Sequence, residues 1–227
     1  MQLLSVENDA KTSKGTDSGY LTGILYLAPA TKSGRLNVCL SATLECIKSC
    51  LYKAGRGAMP NVISARIART KWLADNRASF MDALRSDIRE LCFKASKRGL
   101  IPAVRINGTS DLPGIARQLA REFPTVAFYD YTKHKSPWVR RESNYHITFS
   151  YSGHNWTECE AALAHDVNVA VVFHVAKGQP LPLSYQGYPV IDGDINDLRF
   201  LDPKRVIVGL RAKGPAIKAD SAFVVLP

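Results

Sequence analysis

The sequence predicts an α/β fold in which six mostly parallel strands curl into a barrel or half-barrel. Three observations predict it. Short apolar runs of strand composition alternate with segments of helical spacing, the pattern of βα units. Several of those runs carry polar residues on one face, whereas strands of a doubly covered flat sheet are apolar on both. The chain has 227 residues, 46% of them hydrophobic, enough for one full core.

Each element follows in order. Residues 1–19 are polar and end in KTSKGTDSG, so they read as a flexible lead-in to a single domain over 20–227. GILYL at 23–27, closed by Ala28 and Pro29, is the first strand. A cysteine loop follows it. Val62, Ile63, Ile67 and Leu73 mark a helix over 61–76. Phe80, Leu84, Ile88 and Leu91 mark a longer one over 79–97, with Ser79 and Asp82 resembling a capping box and Gly99 ending it. The remaining strands are expected at 102–107, 125–131, 145–151, 168–175 and 205–210, with helices over 112–123 and 156–165 between them. A Gly/Pro-rich excursion over 177–203 precedes the last strand. The polar positions on these strands are Arg105, Asn107, His146, Thr148, Ser150 and His174, with Arg211 and Lys213 just beyond the sixth. Polar groups facing inward suit a lined lumen, and in such barrels chemistry gathers at the carboxyl ends of the strands.

The cysteine loop, NVCLSATLECIKSCLYKAGRG at 37–57, carries the sharpest chemical signal. Cys39, Cys46 and Cys50 fall within one loop and one helical turn, while Cys92 and Cys159 stand alone in helical segments. Thiolates are soft ligands for iron–sulfur clusters and zinc. Three of them leave one coordination position open, as a catalytic site requires and a structural site avoids. The competing reading is three small buried residues without metal. An odd cysteine count and no export signal argue against a disulfide framework and for a reducing compartment.

Other features are weighed the same way. Asp192, Asp194 and Asp197 resemble an oxygen-ligand cation loop, but the arrangement lacks the length and terminal glutamate of an EF-hand. A turn network with salt bridges to Arg199 or Arg205 is the better expectation. His146 and His174 are acid–base candidates or satisfied strand residues. The net charge of +10 permits an acidic partner such as nucleic acid. Lys133, Lys135, Arg140 and Arg141 around Trp138 have the mix of phosphate pairing and base stacking that single strands need. The alternative is a solvated loop. No apolar run is long enough for a membrane span. There is no Walker loop, no GxGxxG after a strand, no HExxH and no GxSxG.

CLSATLECIKSCLYKAG, VRINGTSD, FYDYTK, VNVAVVFH and VIDGDINDLRFLDP, followed by IVGLRAKGPA, together resemble a bacteriophage family, the gene product 88 domain family, over roughly 11–217. That resemblance implies a protein of the bacterial host cytoplasm. More distantly, a strand, a three-cysteine loop and further βα units are similar to the radical S-adenosylmethionine superfamily. Its partial (β/α)6 barrels hold a 4Fe–4S cluster on three cysteines. The cysteine gaps here are six and three residues, wider than that superfamily's usual three and two. The resemblance implies that Cys39, Cys46 and Cys50 ligate three irons. It implies that Asn107, Gly108, Thr109, Ser110 and Asp111 stand where a glycine-rich turn holds the methionyl amino group, and that Thr148 and Ser150 meet the ribose or carboxylate. The plainer role for Ser110 or Asp111 is to cap the following helix. Two functions follow as expectations: an iron–sulfur protein of radical S-adenosylmethionine type, or a non-catalytic nucleic-acid-binding phage protein whose cysteines hold zinc or nothing.

Overall fold

The computed structural model describes residues 2–7, 12, 15–136, 142–218 and 221–227. Its strands are β1 (Leu4–Val6), β2 (Tyr20–Leu25), β3 (Ile101–Arg105), β4 (Ala127–Thr132), β5 (Tyr145–Ser150), β6 (Val169–Phe173), β7 (Ser184–Tyr185), β8 (Tyr188–Asp192), β9 (Ile207–Arg211) and β10 (Val224–Val225). The helices are α1 (Leu44–Lys48), α2 (Pro60–Asp75), α3 (Arg77–Lys97), α4 (Pro113–Glu122) and α5 (Trp156–Ala164). One sheet runs β1-β2-β3-β4-β5-β6-β9-β8-β7, with β10 added to β6.

The six expected strands form β2 to β6 and β9. They lie side by side in chain order, and each neighbouring pair is parallel. The fold is therefore mixed α/β with a mostly parallel sheet. It is open, with β1 and β7 as its edges.

Two stretches hold more structure than the sequence predicts. Within the expected lead-in, β1 pairs antiparallel with β2, matching Leu4 to Leu25. Leu3 and Leu4 are buried, and both their N–H groups donate to Asp87 Oδ2 on α3, at 2.6 and 2.9 Å. A three-residue strand is too short for alternation to announce it. Within the expected excursion, β7 and β8 form a hairpin through Gln186 and Gly187, both at positive φ (51° and 82°). That is the turn that matches the strand twist.

The two faces of the sheet differ in chemistry. On one, Val104, Phe128, Ile147, Phe149, Val169, Val171 and Ile207 join a single core with helices α3, α4 and α5. α3 supplies Phe80, Leu84, Ile88 and Leu91 at helical spacing. Its amino end is capped by Asn76, whose Oδ1 accepts from Ser79 N–H at 3.0 Å, so the expected Ser79 box gives way to the residue three places earlier. Gly99, at φ 64°, ends it as expected.

The opposite face bears Arg105, Tyr129, Tyr131 and His146. The segment between β8 and β9 folds back across it. There Phe200 packs its ring on Tyr20, Tyr129 and His146, with centroids 5.0, 5.5 and 5.5 Å away. Asp197 meets Arg105 Nη1 at 2.8 Å, a pair buried from water. His146 is thus held against an aromatic ring, and the His174 ring meets Ile217 O at 3.1 Å.

Candidate functional site at the carboxyl rim

A cavity of about 1260 Å³ opens beyond the carboxyl ends of the parallel strands. The loop after β2 and the turn after β3 both contribute walls. Neighbouring parallel strands place their following loops on one rim, which explains why residues so distant in sequence meet here.

The turn after β3 is built by hydrogen bonds. Asn107 donates through its backbone N–H to Asp130 Oδ1 at 2.7 Å and through Nδ2 to Oδ2 at 2.9 Å. Its Oδ1 accepts from Ser110 Oγ at 2.9 Å and from Leu112 N–H at 2.8 Å. Asn107 thereby fixes Leu112, the residue immediately before α4, while no side chain caps the helix itself. Ser110 and Asp111, the expected caps, do other work. Asp111 accepts from Thr132 Oγ1 at 2.7 Å and from Lys133 N–H at 2.9 Å, tying the turn to the end of β4. Thr109 Oγ1 donates to Leu27 O at 2.6 Å. Gly108 packs against the end of β2: a Cβ there would meet Ile24 Cγ2 and Tyr26 Cδ1 at 2.7 Å and Leu25 O at 2.8 Å. Its missing side chain serves the contact between two chain segments.

The cysteine loop leans on that turn. Asp111 N–H donates to Val38 O at 2.7 Å, and the Cys39 thiol points at Thr109 O, 3.8 Å away. Cys39 N–H is held by Asn37 Oδ1 at 2.9 Å. Thr43 caps α1, its Oγ1 accepting from Cys46 N–H at 3.2 Å. Cys50 follows α1 and opens a 3-10 turn, Leu51–Lys53. All three cysteines line the cavity, while Cys92 and Cys159 do not. Cys159 is fully buried in the core on α5.

Burial pushes the Cys39 thiol up to about 11, and the neighbouring Cys50, Asp111 and Cys46 add to the rise. Burial likewise raises Cys50, with Cys46 adding and Lys133 and Arg66 opposing. Burial thus favours the neutral thiol at both positions. Among the described residues no three His, Cys, Asp or Glu side chains are close enough to share one metal ion. Three thiols lining one cavity are soft donors of the kind that iron–sulfur clusters and zinc use.

Around this centre the charged side chains of the cavity wall are mostly basic. Arg66, on α2, is buried with its guanidinium over the rings of Tyr26 and Tyr52, 5.1 and 5.5 Å from their centroids. Arg105 lies over Tyr131 at 4.6 Å. The aspartates of the possible cation loop, Asp192, Asp194 and Asp197, form ion pairs as expected, but with other partners. Asp192 and Asp194 bind Arg211 at 2.9 and 3.2 Å, Asp194 also binds Lys213, and Asp197 binds Arg105. Arg199 and Arg205, the expected partners, pair with Asp202 and Asp166.

Ser150 lines the cavity, while Thr148 is buried and does not. Of the basic run, Lys133 lines the cavity and Lys135 is exposed; Trp138, Arg140 and Arg141 lie outside the described residues. Sequence reasoning missed Asp130, which is fully buried, accepts from Asn107 and from Tyr145 OH (3.1 Å), and is pushed up to about 7 by burial. A lone acid within FYDY gives no signal of this.

The fold and site thus define an α/β protein with a thiol-lined cavity at the carboxyl rim of a mostly parallel sheet. The chain belongs to the gene product 88 family, whose model matches residues 2–226. No curated protein and no solved structure matches it. Among the described residues no helix is long and apolar enough to cross a membrane.

Proposed function

We propose that this protein is an iron–sulfur protein of radical S-adenosylmethionine type, with a 4Fe–4S cluster on Cys39, Cys46 and Cys50. The observation that carries the reading is that those three cysteines, and neither Cys92 nor Cys159, line one cavity at the carboxyl rim together with the Gly108 turn. Cys39, Cys46 and Cys50 would hold such a cluster, and the chemistry it would supply is electron transfer to the cofactor. The chain's own part is to hold three thiols toward one space and to present polar groups beside them. Asn107 to Asp111 stand next to Cys39, and Ser150 lies on the cavity wall. The cavity volume exceeds the several hundred cubic ångströms usual for small-ligand pockets, leaving room for a substrate beside the cofactor.

A curled sheet of partial (β/α)6 type belongs to this reading. On a flat sheet β2 and β5 lie three steps, about 14 Å, apart. One Phe200 ring nevertheless meets Tyr20, Tyr129 and His146 together, which a concave face favours.

The test is equilibrium binding of S-adenosylmethionine to anaerobically reconstituted protein, with iron and sulfide measured on the same sample. Brown protein with about four irons that binds S-adenosylmethionine supports the reading. Protein that takes up iron and sulfide yet does not bind S-adenosylmethionine removes the cofactor and leaves the cluster. Colourless protein with stoichiometric zinc would favour the nucleic-acid-binding alternative instead.

A further inference from the structure

We propose that Lys133 and Ser150 form an anion subsite on the cavity wall, taking the carboxylate or phosphate of a small substrate whose apolar body packs on Phe223 and Val172. The proposal rests on the site described above and names the substrate class that it would admit.

Position comes first. β4 and β5 are parallel, and their last matched pair is Thr132 with Phe149. One residue further along each chain come Lys133 and Ser150, and both line the cavity. The base of Lys133 is fixed, because its N–H donates to Asp111 Oδ2 at 2.9 Å and the adjacent Thr132 hydroxyl holds the other oxygen. Both Asp111 oxygens are therefore engaged by groups other than the Lys133 ammonium.

Charge is the second argument. Arg105, Arg211 and Lys213 each face an aspartate in this cavity. Lys133 Nζ instead lies over the Phe223 ring, 5.6 Å from its centroid, with no carboxylate at ion-pair distance among the described residues. The Ser150 hydroxyl makes no hydrogen bond to a described residue and can donate to the same anion. Beside them Ala170, Val172, Leu210 and Phe223 give the wall an apolar stretch. A cation and a hydroxyl beside an apolar surface match an anion attached to an apolar or aromatic body. Lys133, Ser150 and the three cysteines line the same cavity.

The test titrates the full chain with benzoate, phenyl phosphate and neutral benzyl alcohol, followed by NMR and calorimetry. It is run on metal-free and on reconstituted protein. At least one anion should bind more tightly than benzyl alcohol, and the better of the two identifies the recognised group. Lys133→Met should weaken that anion about tenfold or more, the scale of a charge-assisted bond. Lys133→Arg should hold it within about threefold, since the charge is kept. Ser150→Ala should weaken it less than Lys133→Met, and benzyl alcohol should respond to none of the three. Equal affinity for neutral and anionic probes, binding of neither anion, or anion binding indifferent to both Lys133→Met and Ser150→Ala would overturn the proposal. Because anion binding is read without iron as well as with it, failure of the cluster and failure of the subsite give different results.

Discussion

The turn after β3 and the cysteine loop after β2 share one cavity and are built in opposite ways. In the turn, Asn107, Thr109, Ser110 and Asp111 all spend their side chains on the protein, and Gly108 is small because a strand end lies against it. In the loop, α1 has five residues and buries none of them, and Leu40 and Leu44 stand 71% and 70% exposed. Its three cysteines face the cavity. The turn is a brace that holds the rim together by itself. The loop carries its three thiols on a short frame, and leans on the brace at Val38 and Cys39.

Breaking the brace should have the largest effect. Gly108→Ala places a Cβ within 2.8 Å of three atoms, one of them a backbone oxygen, and should cost about 1–3 kcal/mol in denaturant unfolding, the usual range for overpacking. Gly57→Ala in the loop region is the contrasting substitution. Its closest contacts are 3.1 Å to Tyr52 O and 3.2 Å to the end of Arg66, so small movements accommodate it and the cost should stay below about 1 kcal/mol. Equal costs would erase the distinction between the two regions.

The brace should also have its own pH signature. Asp130 is pushed up to about 7 by burial, above its ordinary value of 3.8. The folded protein therefore holds a proton there that the unfolded chain releases, and stability from this group falls as pH rises from about 4 to about 7, then levels off. Asp130→Asn removes the effect. Relative to that variant, the native protein should lose about 1–3 kcal/mol between pH 5 and pH 8, read from parallel unfolding curves. A difference between the two proteins that stays flat over this range would show that Asp130 is already ionised at pH 5.

Much of this was legible in the sequence, for physical reasons. The six parallel strands are runs such as TVAFYDY and NVAVVFHV, where β-branched and aromatic residues follow a Pro or Asn. Clustering of Cys39, Cys46 and Cys50 after the first strand sufficed to put them on the rim, since direction is fixed once the strands are parallel. The short elements were not legible. β1 and β10 are three and two residues long, and the β7–β8 turn uses Gln186-Gly187 in place of the Asn-Gly that usually announces a hairpin. Long-range partners escaped as well. Nothing local joins Arg105 to Asp197 or Asn107 to Asp130, because those pairs exist only once the sheet has formed. Lys133 read as part of a basic loop, yet it lines the cavity because Asp111 fixes its backbone.

The most direct measurement of the central claim is iron and sulfide content after anaerobic reconstitution of five single variants. Cys39→Ala, Cys46→Ala and Cys50→Ala each remove a thiol that faces the cavity, and each should abolish or sharply reduce cluster loading. Cys92→Ala and Cys159→Ala remove thiols elsewhere and should load like the native chain. Equal loss of iron on removing Cys92, or undiminished loading after removing any of the three, would contradict the account.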